Sequence, residues 1–173
     1  MADQNMLYKL MILFMLKKIN YSMTGAQISD FMLEHGYTTY FVLQETLSAL
    51  EEAGYVHGEK IANATYYTIT PEGEQTIGYF QNRISAPIRE EITGYLKENR
   101  LRILGEEAVM ADYYRNTDGE FDARLWIREK KSNLMHLTIT VPDEMQAQAI
   151  CLQWKKKSED IYAYLMKELM RGE

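Results

Sequence analysis

The sequence predicts an α+β protein: an N-terminal domain of helices closed by a β-hairpin, linker helices, and a C-terminal three-stranded antiparallel sheet covered by a long helix. Three observations predict it. Apolar residues recur at helical spacing through the first fifty residues, and a stretch rich in β-branched and aromatic residues follows Gly54. Beyond Glu106 the apolar period changes to two in successive segments. After Pro142 a helical stripe returns and runs almost to the end of the sequence. The expected domains are 1–84, a linker helix over 85–104, and a small β-β-β-α domain over 105–173.

The first helix spans Met6 to Ile19. Its uninterrupted apolar part, Leu10 to Leu16, is far shorter than the roughly 20 residues a membrane span needs, and Lys17 and Lys18 follow it where a signal peptide carries its charge first. A buried helix in a cytoplasmic protein, with no membrane partner, is expected. Because Leu10 to Leu16 leave no polar face, a second subunit or domain is expected to cover part of the helix, a first hint of a homodimer. Asn20 to Met23 read as a turn. Thr24 with Gln27 three residues on has the spacing of a capping box and starts a helix to Glu34, with Ile28, Phe31 and Met32 on one face and Gly36 past its end.

Tyr37 and Thr38 are expected to start the third helix, whose apolar positions are Phe41, Val42, Leu43, Leu47, Leu50 and Ala53 before Gly54. Two short helices joined by a tight glycine-containing turn form a helix-turn-helix. Tyr55 to Ile61 and Thr65 to Ile69 then form a hairpin, and Thr70-Pro71 restarts a helix with proline where its missing N–H costs nothing. This is the order of a winged helix-turn-helix. The pattern Leu47-x-x-Leu50-x-x-x-Gly54-Tyr55-Val56, then Tyr67-x-Ile69-Thr70-Pro71-Glu72-Gly73, resembles the PadR-like and MarR-like transcriptional regulators over about the first 80 residues. The whole chain is similar to a bacterial winged-helix family of unknown function. The resemblance implies a dimeric, DNA-binding regulator whose next helices lead to an effector or dimerisation domain.

The fourth helix is expected to reach Ile84, with a break at Ser85-Ala86-Pro87 and a further helix from Ile88 to Leu101. Val109 to Tyr114 reads as a strand and Asn116 to Gly119 as a turn. Phe121, Ala123, Leu125 and Ile127 alternate with polar partners, a turn covers Lys130 to Asn133, and Met135, Leu137, Ile139 and Val141 make the third strand. Asp143 caps the last helix, whose expected stripe is Ile150, Trp154, Ile161, Leu165 and Leu169.

On a winged helix the N-terminal part of the third helix reaches base edges. The candidate DNA contacts are Thr38, Thr39, Tyr40, Gln44 and Ser48, with Lys60 and Asn63 on the wing. Charge opposes this reading: residues 1–80 hold four lysines and no arginine against nine acidic residues, and the third helix carries Glu45, Glu51 and Glu52. The alternative is a winged helix used for protein interaction or as a small-molecule sensor without DNA binding. Arg124, Trp126, Arg128 and His136 share the polar face of the sheet, as a cross-strand surface set or a site for a small anion or a partner. Met110, Tyr113, Tyr114 and Trp126 could line a pocket for a small-molecule effector.

No enzyme is expected, and neither a cofactor nor a metal. The glycine-rich phosphate loop is absent, and His35, His57 and His136 stand singly, away from metal-ligand spacing. The pairs Glu90-Glu91, Glu106-Glu107 and Asp143-Glu144 are neighbours whose side chains diverge. Cys151 reads as a small buried hydrophobe. The run Lys155-Lys156-Lys157 reads as a solvated face, with a nucleic-acid contact as the sharper alternative.

Overall fold

In the N-terminal part of the computed structural model the elements are α1 (Ala2–Ile19), β1 (Met23–Thr24), α2 (Gly25–Glu34), α3 (Tyr40–Glu52), β2 (Val56–Ile61), β3 (Ala64–Ile69), α4 (Pro71–Phe80) and α5 (Ala86–Glu98), with a 3-10 turn over Gln81–Arg83. The C-terminal part follows with α6 (Arg100–Leu104), β4 (Val109–Arg115), β5 (Phe121–Glu129), β6 (Ser132–Val141) and α7 (Glu144–Leu169). The structure describes residues 2–105, 108–129 and 132–172; the Glu106-Glu107 pair and the first residues of the turn expected at Lys130 lie outside them. Two compact units divide the chain, Met1–Lys97 and Glu98–Glu173, and the division falls inside the expected linker. The linker is two helices rather than one, broken at Asn99, which lies outside helical geometry at ψ 10° and φ −106°.

The first unit is a winged helix-turn-helix. Its sheet has the order β1-β3-β2, with Met23 opposite Tyr67 and the hairpin register running from Val56–Ile69 to Ile61–Ala64. The Thr24–Gln27 capping box forms with both hydrogen bonds, at 3.1 and 2.9 Å. Gly36 takes a left-handed φ of 68° while the Tyr37 N–H donates to the Met32 carbonyl, closing α2.

Two expectations change here. Residues 20–23 do not form only a turn: Met23 and Thr24 add a short strand to the wing sheet. The all-apolar α1 does not call for a second subunit. Leu10 to Leu16 are buried within the chain, where α3, β3, α4 and the 3-10 turn surround the helix.

The Thr70-Pro71-Glu72-Gly73 motif has a physical reason. The Thr70 hydroxyl accepts from the Gly73 N–H at 3.1 Å and donates to the Gly54 carbonyl at 2.6 Å, tying the start of α4 to the end of α3. A Cβ on Gly73 would stand 2.1 Å from the Tyr55 carbonyl oxygen, so only glycine lets α4 approach the strand so closely.

In the second unit β4-β5-β6 form the expected antiparallel meander. The Asp143 carboxylate caps α7 by accepting from the Gln146 N–H at 2.8 Å. Ala123, Leu125 and Ile127 of β5 are buried on the face that α7 covers. The buried stripe of α7 differs from expectation: it is Ala147, Trp154, Ser158 and Tyr162, with Cys151 half-buried, whereas Ile161 is 37% and Leu169 78% exposed. Steps of three and four from Ala147 through Cys151, Trp154, Ser158 and Tyr162 stay on one helical face; Trp154 stands on it as expected, and Ile161 falls one residue short of Tyr162. Among the described residues no helix is long and apolar enough to cross a membrane.

Candidate recognition surface

Helix α3 begins at Tyr40, three residues later than Tyr37. The delay has a cause: Thr39 is extended and its hydroxyl accepts from the Val42 N–H at 3.5 Å, making it the N-cap. Thr38 and Tyr37 therefore lie in the turn, both half-buried. Of the candidate contacts, Tyr40 and Ser48 are exposed, Gln44 is half-buried, and Lys60 and Asn63 are exposed on the wing.

At about 100° per residue, the buried Leu43, Thr46, Leu47 and Leu50 define one side of α3. Phe41, Glu45, Ser48 and Glu52 then form the opposite ridge, and all four are exposed. Phe41 is not a core residue as its apolarity suggests; it is 79% exposed, because it sits two residues, about 200°, before Leu43. Tyr40, 56% exposed, meets Phe41 edge-on with ring centroids 6.0 Å apart. Gln44 flanks this ridge. Glu51 is used internally: its carboxylate accepts from the Gly58 N–H at 3.2 Å and so holds the base of the wing to α3. The same carboxylate, together with burial as the larger cause, pushes the Tyr67 hydroxyl above its ordinary pKa.

The turn before α3 carries a cluster that the sequence does not announce. Phe31, His35, Tyr37 and Tyr95 pack their rings together, with Phe31 5.0 Å from Tyr95. The Tyr37 hydroxyl donates to one oxygen of Glu91, and His35 Nε2 stands 3.4 Å from the other. Burial first, then the hydrogen bond and charge of Glu91, push the Tyr37 pKa up to about 12. These contacts tie the helix-turn-helix turn to α5. Their partners are 54 residues apart in sequence, so no local pattern could have found them.

The second candidate cluster does assemble, on the face of the β4-β5-β6 sheet away from α7. Register places Met110 opposite Trp126 and Asp112 opposite Arg124 on one side, and Trp126 opposite His136 on the other. Asp112 takes both guanidinium bonds of Arg124, at 2.8 and 2.7 Å. Arg124 also lies over the rings of Tyr114 and Trp126, at 5.2 and 5.8 Å, and Trp126 meets His136 edge-on at 6.4 Å. The pair with Asp112 raises the Arg124 pKa. Asp122, accepting from Thr140 at 2.8 Å and Asn116 at 3.0 Å, is held below the usual carboxylate range. Arg124 is thus already paired, and Arg128 is the exposed cation of the set. The expected effector pocket is not formed as a unit. Tyr113 points to the α7 side, where it donates to Glu144 at 3.2 Å and accepts from Gln148 at 2.9 Å, while Met110, Tyr114 and Trp126 share the other face.

Cys151 is half-buried, and its thiol donates to the Asp112 carbonyl at 3.4 Å. Burial, then the Asp112 charge, push its pKa up, the opposite of what a reactive thiol needs. Among the described residues no group of three or more His, Cys, Asp or Glu side chains could hold a metal ion.

Residues 8–169 match the model of a family described as a domain of unknown function, DUF4364. Neither the curated proteins nor the solved structures give a match.

Proposed function

We propose that this chain, which belongs to the DUF4364 family, is a cytoplasmic winged-helix regulator that engages DNA through α3 and the β2–β3 wing. The observation that carries the reading is the complete winged-helix order with the outward ridge of α3 exposed along its length. In this docking α3 lies in the major groove, and Tyr40, Gln44 and Ser48 meet base edges or phosphates. Glu45 accepts from a cytosine amino group, the pairing open to a carboxylate there. Lys60 and Asn63 touch phosphate beside the wing. Few cations support the contact, so affinity depends weakly on salt and rests on base recognition. The test is a gel shift and a selection from random duplexes at about 20 and 200 mM salt. Enrichment of one sequence supports the reading. No shift of any duplex at low salt removes it.

One observation favours a second reading, a protein partner. Phe41 and Tyr40 on α3 and Ile61 at the wing are large, apolar and exposed, beside Glu45, Glu52 and Glu59. That combination fits a basic segment carrying apolar anchors. The double substitution Glu45→Lys with Glu52→Lys separates the two: on the first reading it removes the sequence preference and raises binding to all duplexes alike, and on the second it abolishes partner binding.

A further inference from the structure

The three consecutive lysines of α7 do not share one environment. A cleft of about 810 Å³ lies within the second unit, between α6 and α7 and beside the start of β4. Lys155, Lys156, Ser158 and Glu159 of α7 line it, with Leu101, Arg102 and Gly105 from α6 and its end, and Val109 from β4. Lys157 does not. Helix geometry explains the split: residues 155, 156, 158 and 159 fan over one side, and 157 falls about 200° from 155.

The lining has two characters. Leu101, 4% exposed, and Val109 supply an apolar floor. Lys155 and Lys156 line it as flexible cations, and Arg102 and Glu159 stand with them among the described lining residues. Ser158, 5% exposed, lines the cleft from the buried stripe of α7. The volume falls in the range of small-molecule sites, roughly 300–1,000 Å³. Two lysines beside a buried hydroxyl suit an oxyanion, and the floor beneath them suits an apolar body attached to it.

We propose that the α6–α7 cleft binds a small amphipathic anion, a single phosphate or carboxylate group carried on an apolar body. The oxyanion lies between the Lys155 and Lys156 ammonium groups, with the Ser158 hydroxyl donating to it, and the body rests on Leu101 and Val109. This site is separate from the recognition surface, and it stands whether or not α3 binds DNA. Lys157 is its internal control, equal in charge and adjacent in sequence but aimed away.

The test is calorimetric titration of the full chain with hexyl phosphate, with inorganic phosphate, hexanol and hexanoate as comparators. Saturable one-to-one binding of hexyl phosphate is expected, with hexanoate also binding and both phosphate and hexanol weaker by about tenfold or more. The pair Lys155→Gln with Lys156→Gln is expected to weaken hexyl phosphate by about tenfold or more, from loss of charge-assisted hydrogen bonds. Lys157→Gln is expected to leave it unchanged. Absence of saturable binding overturns the site. Equal binding of inorganic phosphate overturns the apolar half of the assignment. An equal loss in Lys157→Gln reduces the effect to the general charge of the helix and overturns it as well.

Discussion

Gly73 and Gly78 lie in the same helix, α4, and replacing each by alanine should have opposite effects. Gly73 has ordinary helical backbone, so conformation alone does not require glycine there. The requirement is contact: an added Cβ would stand 2.1 Å from the Tyr55 carbonyl oxygen and 2.9 Å from the Ile69 side chain. Relief needs a movement of about 1 Å between α4 and the start of the wing. The Tyr55 carbonyl also accepts from the Thr70 N–H at 3.1 Å, and that bond stretches in the same movement. Overpacking costs about 1–3 kcal/mol, the weakened hydrogen bond about 1 kcal/mol, and the better helix propensity of alanine returns up to about 1 kcal/mol. Gly73→Ala is therefore expected to destabilise by about 2 kcal/mol, a Tm fall of about 4–8 °C for a chain of this length. At Gly78 the nearest atom to an added Cβ is the flexible tip of Lys17, at 3.6 Å, and the site is exposed. Gly78→Ala is expected to stabilise by about 0.5–1 kcal/mol. Thermal melts and urea titrations followed by circular dichroism measure both. A Gly73→Ala protein that melts at or above wild type, or a Gly78→Ala protein that falls as far, refutes the account of the motif.

The remaining predictions concern the titrating and paired groups. Tyr37 has a folded pKa raised to about 12 from 10.0, so its contribution is fully present below pH 10 and is lost as pH rises towards 12. Discounted for its partial exposure, that contribution is about 1 kcal/mol, and Tyr37→Phe should flatten the stability profile between pH 10 and 12; equal slopes in both proteins would refute the assignment. Cys151 should alkylate with iodoacetamide at pH 7.5 about tenfold or more slowly than glutathione, since burial disfavours its thiolate; a rate matching glutathione would overturn this. The Asp112–Arg124 pair is a little under half exposed on both side chains, where solvent screens it, so Asp112→Asn should leave the Tm nearly unchanged in moderate salt, and a fall comparable to that of Gly73→Ala would contradict the reading.

What the sequence made legible was local. The Thr24–Gln27 box, the Thr70-Pro71 start of α4, the Asp143 cap and the two-residue alternation of Ala123, Leu125 and Ile127 each report on their own neighbours, and each stands where expected. Several misreadings share one cause, a dependence on distant partners. Two residues, Met23 and Thr24, carry no strand signal until β3 is beside them. Leu10 to Leu16 read as an interface only because α3, β3 and α4 could not yet be placed around them. The Tyr37–Glu91 contact and the α6–α7 cleft join segments more than fifty and forty residues apart, and residue types alone do not bring them together. Phe41 is different: its position was available from helical angle, and its apolarity concealed it.

Fold and charge pull the recognition surface in opposite directions, and their sizes can be compared. A carboxylate held about 7 Å from a phosphate is repelled by about 0.6 kcal/mol in water-like surroundings and about 2.4 kcal/mol at an effective dielectric of 20. Glu45 and Glu52 on the ridge thus oppose docking by about 1–5 kcal/mol together. Non-specific association of ordinary DNA-binding domains supplies about 5–8 kcal/mol, most of it from cations. On the described wing and ridge, Lys60 is the cation available for that purpose. Generic phosphate attraction therefore cannot hold α3 in a groove. A DNA complex has to turn at least one ridge carboxylate towards a base amino group, which makes it strongly sequence-selective; a protein complex instead turns both towards cations and uses Phe41 and Tyr40 as its anchors. Weak binding to all duplexes alike is the outcome that neither arrangement permits.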